Sequence, residues 1–574
     1  SRDLSEASLE ELMNIEVESV YGASKYLQKV TQAPASVTII TSEEIRKYGY
    51  RTLADALRNV RGLYVTYDRN YSYVGVRGFN RPGDYNTRIL LLVDGHRSND
   101  IVYEQAFIGT EFPIDVDLID RIEVIRGPSS SIYGTNAFFA VVNVITRQGR
   151  NLKGVEASGE LASYGTLKGR ISYGAEMKSG LEVVLSSTIY DSHGHERLYF
   201  PEFDNPATHN GIAENVDDDQ YHQFFGNLSY RDFTVRGVYG SREKGIPTGS
   251  YDTIFNDPRS RTIDTRGFLE LQHQHTFDPK RSLTSRVYYD QYDFDGSYIY
   301  DYSETETPLP VVNKDLAHGK WWGGEVRFTQ TLPKWNLLTL GAEYRNNLQQ
   351  DLNNYDVDIL PPNLDLRQNS TIWGLYAQDE VAVGKKLVLN LGVRHDRNPV
   401  FGGTTNPRLA LIYSPRERSA VKFLYGEAFR APSVNERFYD AEGFIPNPSL
   451  NPEKIRTYEV VWEQYVGERF RLSASGFHYA VRDLIDQVLD SDGNLIFRNL
   501  GRVNAKGLEM ELERNWAWGL ESRVSYAYQQ TEPREGGSLS NSPKHLGLIK
   551  LSAPLAKRKL FASFDLQYMG KRRT

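Results

Sequence analysis

The sequence predicts an antiparallel, all-β transmembrane barrel preceded by a smaller α+β domain. Three observations predict it. After Gly149 the chain becomes a series of about nineteen segments that alternate apolar and polar residues, each near the roughly ten residues a tilted membrane strand needs. The connections between these segments alternate long and short. Residues 31–150 differ in texture, with helical periods, glycine-punctuated turns and continuous apolar runs.

Bulk composition sets the outer bounds. The chain has 574 residues, a formal net charge of -7, 37 tyrosines and no cysteine, so neither a disulfide framework nor a thiolate metal site is available. Mean hydropathy is -0.51, and no apolar stretch is long enough for a membrane-spanning helix. A soluble all-β protein and a membrane barrel both fit that value, because alternating strands average out. No large basic block points to nucleic acid. No Walker pattern, nucleophile elbow or HExxH points to an enzyme. No signal peptide precedes Ser1, so an exported protein would be here in a mature or trimmed form.

Taken in order, residues 1–30 read as an extendable arm. Leu4, Leu9, Leu12, Met13 and Ile15 share one face of a short helix, with too little after them to pack as a domain. Residues 31–150 start with a strand (Ser36–Ile40) and two helices (Ser42–Tyr48 and Leu53–Asn59). Thr41 or Ser42 caps the first helix, Glu43 and Glu44 lie in its first turn, and Gly49 ends it. RILLLVDG is a short buried strand running into a turn, in which His96 reads as a turn residue. Arg121–Thr146 reads as strand, sharp turn, helical turn and strand, with Gly127 and Gly134 at the breaks. Three polar, aromatic loops lie between these elements: Tyr67–Tyr73, Asn80–Thr87 and Arg97–Phe107.

In the barrel region, Leu387, Leu389, Leu391 and Val393 share one face of their segment; Leu508, Met510 and Leu512 oppose Glu509, Glu511 and Glu513. Long connections (Asp191–Asp219, Ser241–Asp264, Ser297–Gly319, Asn346–Asn369 and Arg430–Lys454) alternate with short ones such as MKSG, YRDF, VGKK and LAKRK. Short periplasmic turns and long outer loops belong to membrane barrels, whereas a soluble sandwich has no reason to alternate so regularly. Trp335, Trp516 and Trp518 lie at short turns, where interfacial girdles sit. His273 and His275 read as girdle residues, although i, i+2 spacing can also hold a metal ion.

The blocks APASVTIITSEEIRKYG, LADALRNVRGLYV, VGVRGFN, RILLLVDGHRSND and RIEVIRGPSSSIYGTNAFFAVVNVIT resemble, in order and spacing, the plug of TonB-dependent outer-membrane receptors. The one departure is Phe139-Ala140, where many members carry a glycine pair. The resemblance implies a plug (31–150) inside the lumen of a 22-stranded barrel (151–574), the outer membrane of a Gram-negative bacterium, and no catalysis. About nineteen visible segments and a chain that stops just after a strand then imply roughly three strands missing at the C-terminus, since an open sheet edge in lipid is not tolerated.

The family's TonB box adds a strand to the energy-coupling partner TonB by β-augmentation. The candidate here is Ile15, Glu16, Val17, Glu18, Ser19 and Val20; an ordinary linker is the alternative. In the family, plug apices touch ligand, which assigns that role to Tyr67, Arg69, Tyr71, Tyr73, Arg81, Asp84, Tyr85 and Tyr103 if they are not simply solvated loop residues. Plug arginines pair with lumen glutamates in the family. The matching positions are Arg77 and Arg126 with Glu459 and Glu509, and alternation separately turns both glutamates to the lumen.

FRAPSVNERFYDAEGFIPNPSLNPEK resembles a loop motif best known from haem receptors, yet no histidine lies between Arg430 and Pro446. His193, His195 and His209 sit in another outer loop and read as solvated. No resident metal or cofactor is expected. Asp217, Asp218 and Asp219 could hold calcium, but read more simply as a solvated acidic run.

The implied function is proton-motive-force-driven import of a scarce ligand: a siderophore, cobalamin, haem or similar metal complex. The implied partners are TonB, outer-membrane lipid with lipopolysaccharide, and the ligand itself, on a monomer. The alternatives are a passive plugged channel or surface-binding barrel, oligosaccharide import, and a soluble polysaccharide-binding protein.

Overall fold

Alternation sets the larger unit. The computed structural model describes residues 19–303, 307–333, 336–441, 443–534, 537, 539–556 and 560–573. They contain a 20-stranded antiparallel sheet running from Gly154–Ala162 to Leu560–Met569. One of these strands, Leu364–Leu366, is a short piece beside Asn336–Asp356; the rest are long and match the segments read from alternation. Consecutive strands pair in simple up-and-down order, as in a barrel wall. The two end strands have no further partner among the described residues.

The period of two sorts every strand. Tyr458, Val460 and Trp462 are exposed on the outside, whereas Glu459 and Glu463 are buried on the inside. Leu508, Met510 and Leu512 likewise face outward, opposite buried Glu509 and Glu511. Leu560, Phe564, Leu566 and Tyr568 point to the lipid side of the last strand.

Three long connections are shorter than the sequence suggests. Strands Phe233–Gly245, Arg281–Asp301, Pro310–Leu332 and Asn336–Asp356 run well into them. Strands of 21 and 23 residues exceed what a bilayer needs, so their upper ends form a standing wall above it. Polar residues occupy both faces there, and the alternation that marks a strand in lipid disappears. Trp335 and most of the LAKRK turn lie outside the described residues.

The smaller unit is built on a five-stranded mixed sheet in the order Ser36–Thr41, Ile119–Arg126, Ala140–Thr146, Ile89–Val93 and His96–Arg97. The first helix, Ser42–Tyr48, is capped by Thr41, whose hydroxyl accepts from the Glu44 N–H, and ends at left-handed Gly49. The second, Leu53–Arg58, carries a capping box between Thr52 and Asp55. Ser130–Tyr133 is the helical turn between Gly127 and Gly134, both at positive φ.

This unit sits against the concave face of the wall all the way round. Its side chains bond strands from Thr166–Glu176 (Lys168 Nζ to Asp115, 2.8 Å) through Arg261–Asp278 (His96) to His545–Ala556 (Lys550 to Glu44). It therefore fills the lumen as a plug. Residues 19–30, expected in the extendable arm, belong to it: Val20, Ala23 and Val30 are buried with Ile39, Leu92 and Ile125.

Candidate functional site

The hairpin Leu63–Tyr67/Ser72–Val76 lifts its tip toward the outer end of the lumen. Asp68 folds that tip: its Oδ1 accepts the N–H groups of Asn70 (2.8 Å) and Tyr71 (2.7 Å), and its Oδ2 accepts the Tyr73 hydroxyl (2.7 Å). Asn86 ties the three apical loops together. It accepts the Val74 N–H (2.8 Å) and donates to the Ser72 and Ala106 carbonyls (2.9 and 3.0 Å). Those bonds hold Tyr85 and Asn86 at φ 52° and 57°, a conformation that costs each of them about 1–3 kcal/mol. In the third loop Asp100 collects the N–H groups of Val102, Tyr103 and Gln105, each at 2.7 Å, while burial pushes its carboxyl up to about 6.

The loops converge on a ring cluster. Tyr85 lies 5.9 Å from Tyr71 and 5.4 Å from Tyr103, and Tyr103 meets wall residues Tyr292 and Phe294 at 6.3 and 6.0 Å. Tyr251, Tyr298 and Tyr439 close the other side from the outer loops and wall. Between plug and loops lies an open cavity with about 1130 Å³ of atom-free space, mouth included. Its polar lining is Asp68, Asp315 and a set of amides. Asp315 accepts from Tyr439 (3.2 Å) and Asn354 (3.3 Å). A concave, largely aromatic site with a few convergent polar groups is a ligand site in form.

Tyr71, Tyr73, Tyr85 and Tyr103, named from sequence, all line this cavity. Tyr67, Arg69, Arg81 and Asp84 do not. The Tyr67 hydroxyl turns back to the Arg69 carbonyl (3.1 Å), Arg69 faces Asp217 (3.8 Å), Arg81 faces Asp486 (3.3 Å), and Asp84 accepts from Arg88 (2.9 Å). Each charged side chain of the four reaches an opposite charge outside the cavity, whereas the tyrosines have none to reach. Sequence reading missed Tyr251 and Tyr439, whose outer loops carry no register signal, and Tyr292 and Tyr298, which stand on the long strand Arg281–Asp301.

Below the cavity lies the plug–wall seam. Arg77 is fully buried and bridges both glutamates: Nη2 donates to Glu459 Oε1 at 2.6 Å, and Nε to Glu509 Oε1 at 2.8 Å. It also donates to the Tyr479 hydroxyl (2.5 Å) and lies over the Phe477 ring. Arg126 pairs with Glu509 only at long range, without a hydrogen bond. Its Nη atoms donate to the Arg61 carbonyl (2.8 Å) and Ser36 Oγ (2.9 Å), and its Nε stays 3.7 Å from Glu509. Arg61, unnoticed in the sequence, shares that carboxylate at 3.5 Å and faces Glu511 at 3.6 Å.

Two further clusters were missed. Buried Glu453 receives Arg88 of the plug (2.7 Å) and Arg430 at the base of the outer loop (2.5 Å), so the base of the loop motif is a strut, while its Asn435, Tyr439 and Phe444 line the cavity. Arg430 also grips Glu436, which forms a capping box with Ser433 at the start of the helix Val434–Phe438. His96, expected to be a turn residue, starts the short strand His96–Arg97. It is buried, stacked on Phe268, with Nδ1 3.0 Å from Glu270 and Nε2 3.0 Å from Asp290. Two carboxylates facing both ring nitrogens call for the doubly protonated ring. Burial opposes that charge, and the two carboxylates outweigh it, raising His96 above its ordinary value.

The acidic run is not simply solvated: Asp217 meets Lys244 (2.8 Å), Asp218 meets Arg261, and Asp219 meets Arg242 (3.0 Å). His209 Nδ1 contacts its own loop at the Ile212 carbonyl, and His195 stacks near Tyr164. His273, His275 and Asp232 present ligand atoms within 4.8 Å of one another at a short turn, with His275 Nδ1 already 2.6 Å from Asp232. Of the proposed coupling segment, Ile15–Glu18 lies outside the described residues. Ser19–Val20 pairs with Gln28–Lys29, and the next two N–H groups, of Tyr21 and Gly22, are held by buried Glu123.

Two family profiles match the chain: "TonB-dependent Receptor Plug Domain" over residues 29–141 and "TonB dependent receptor-like, beta-barrel" over residues 202–554. The chain belongs to the TonB-dependent receptor family. It is an outer-membrane receptor of the Gram-negative type that works with TonB to import a ligand. It is 26% identical to the vitamin B12 transporter BtuB of Vibrio cholerae, over 96% of this chain and 84% of that one. The iron-regulated outer membrane virulence protein of the same species is 23% identical over the same shares. The ferric enterobactin receptor PfeA of Pseudomonas aeruginosa superimposes with a TM-score of 0.72 at 20% identity, covering 94% of this chain and 87% of that one. The pyoverdine receptor FpvA of Pseudomonas aeruginosa gives 0.74 at 15%, covering 98% and 90%. Both structures share the fold.

Proposed function

We propose that this receptor takes up a compact metal chelate of the siderophore or cobalamin kind, bound in the tyrosine-walled cavity between plug apex and outer loops. The cavity carries the reading: it is open at the outer end, floored by the plug, and lined by rings that can stack on a ligand without ordering long side chains. The named relatives, a vitamin B12 transporter and an iron-regulated outer-membrane protein, lie on the same side. No bond-making chemistry is assigned to the site; its residues bind, and energy comes through the plug.

The coupling strand is assigned to Ile15–Val20, directly ahead of the Glu123 clasp. Pulling on it would load the pairing of Ser19–Val20 with Gln28–Lys29 first, and then the Glu123 bonds of Tyr21 and Gly22. A calcium ion at Asp217–Asp219 would have to displace Lys244, Arg261 and Arg242, so we assign none. The receptor acts as a monomer in this account.

Lipopolysaccharide is assigned to the outward face of the wall. Lys454, Arg482 and Arg502 are direct cross-strand neighbours, and Arg534 bonds the Arg502 carbonyl through its N–H. All four are exposed on the outer side of the Tyr458–Trp462 apolar band. Among the described residues no carboxylate pairs with them. Like charges placed opposite one another repel, and anionic headgroups relieve that repulsion.

Cells expressing the receptor are given labelled cyanocobalamin, ferric trihydroxamate or maltoheptaose, with and without TonB. The reading expects TonB-dependent accumulation of a chelate or cobalamin. Accumulation that ignores TonB supports a passive channel, and accumulation of the sugar alone supports oligosaccharide import.

A further inference from the structure

We infer that the ligand is uncharged or cationic, and that the cavity rejects anionic chelates. The inference rests on the import reading above and narrows its substrate class.

The observation is the sign of the lining. Among the described residues that form the cavity there are two carboxylates, Asp68 and Asp315, and no arginine, lysine or histidine. The nearby cations are committed elsewhere. Arg69 faces Asp217, Arg81 pairs with Asp486 while lying behind the lining ring of Phe497, and Arg242 holds Asp219 and the Asn70 carbonyl from behind Tyr71. Lys314, next to Asp315 in sequence, bonds Asp295 (2.6 Å) and Ser297 (2.9 Å) on the other face of its strand. Asp315 itself meets only a hydroxyl and an amide, so its charge is not neutralised from within the protein.

An anion entering this space would lose water and gain no counter-charge, and would face a fixed negative group in a partly dry site. Burying a charge without a partner is costly, and a like charge close by adds to the cost. A neutral ligand meets no such penalty. Its flat faces can lie on Tyr85, Tyr103 or Tyr298, and its amide or carbonyl groups can reach Asn313, Asn354 and Gln105. A cationic ligand would gain from Asp315 and from the ring faces as well. The expected substrate is therefore a chelate or macrocycle whose metal charge equals or exceeds the negative charge of its donors, with amide-rich edges.

The test is a charge series on the purified full-length receptor in detergent. Isothermal titration uses a ferric tris-catecholate (trianionic), ferric dicitrate (anionic), a ferric trihydroxamate (neutral), cyanocobalamin (neutral) and a ferrioxamine bearing a free amine (cationic). At least one neutral or cationic probe is expected to bind with submicromolar Kd, at least about a hundredfold tighter than either anion. Asp315→Lys is expected to move the ratio of anion to neutral affinity by about tenfold or more toward the anion, and Asp315→Asn by less. Unchanged heat-modifiability on gels certifies the variants as folded. Tighter binding of an anion, binding of no neutral or cationic probe, or an affinity ratio unmoved by Asp315→Lys would each overturn the inference. A neutral probe that binds as expected but accumulates in cells without TonB would instead sink the import reading and leave the charge assignment standing.

Discussion

Replacing Arg77 by methionine removes one guanidinium from the seam while keeping most of its volume. In the intact protein that guanidinium satisfies Glu459 through two bonds (2.6 and 3.0 Å) and Glu509 through Nε at 2.8 Å, with none of the three side chains appreciably exposed. The two carboxylates do not suffer equally. Glu509 keeps Arg61 at 3.5 Å and Arg126 at 3.7 Å, whereas Glu459 has no other ion-pair partner among the described residues. Breaking a buried pair from one side costs about 3–5 kcal/mol, because the stranded charge stays buried. The plug should therefore loosen by roughly a hundredfold or more in its opening equilibrium. Hydrogen exchange read on the plug strands Ile119–Arg126 and Ala140–Thr146 measures that opening. Arg77→Met with Glu459→Gln should recover most of the loss, because the double variant removes the stranded charge. A loss below about 1 kcal/mol, or strict additivity of the two substitutions, would refute the idea that this pair holds the plug.

Four other outcomes follow from the same geometry. His96 has a raised folded-state value, so its contribution is complete below about pH 6.5 and fades as pH rises through the folded value; plug exchange protection, corrected for intrinsic rates, should fall across that window and should not do so in His96→Gln. Glu453→Gln weakens the grip on both Arg88 and Arg430, and should cost about 3 kcal/mol in outer-loop stability, read as faster proteolysis of residues 430–453. Tyr85→Ala removes the central ring of the cavity and should weaken binding of the neutral probe by about tenfold, measured by titration. Lys454→Gln with Arg482→Gln and Arg502→Gln should lower the lipopolysaccharide that copurifies with the receptor, measured by phosphate assay, without changing chelate affinity.

What could be read ahead of the structure follows the range of each interaction. Period-two alternation is local, so strand number, strand face and the lumen side of Glu459 and Glu509 could all be read from short segments. The Arg77 partnership came from a motif plus parity, two signals that agree. Glu453 with Arg88 joins positions 365 residues apart, and His96 with Asp290 joins positions 194 apart. No local pattern carries such pairs. The upper wall was hidden for a different reason. Asn313, Asp315 and Asn354 sit on strands that have left the lipid, where neither face must be apolar, so their strand character leaves no trace in hydrophobicity. About a third of the ligand cavity's lining stands on those tall strands. Arg81 and Asp84 misled for the opposite reason: charge in an apical loop looks like ligand contact until its ion-pair partner, far along the chain, is in view.

The claim beneath all of this is that the first domain sits inside the wall in one fixed register, and a disulfide can measure it directly. The chain has no cysteine of its own, and a Cβ built on Gly392 of the wall would lie 3.8 Å from the Cβ of Ser131 in the plug, the separation a disulfide requires. With Ser131→Cys and Gly392→Cys together, mass spectrometry of the air-oxidised receptor should find the cross-linked peptide pair in nearly every molecule. Two free thiols after oxidation, in a folded and membrane-inserted receptor, would contradict the account.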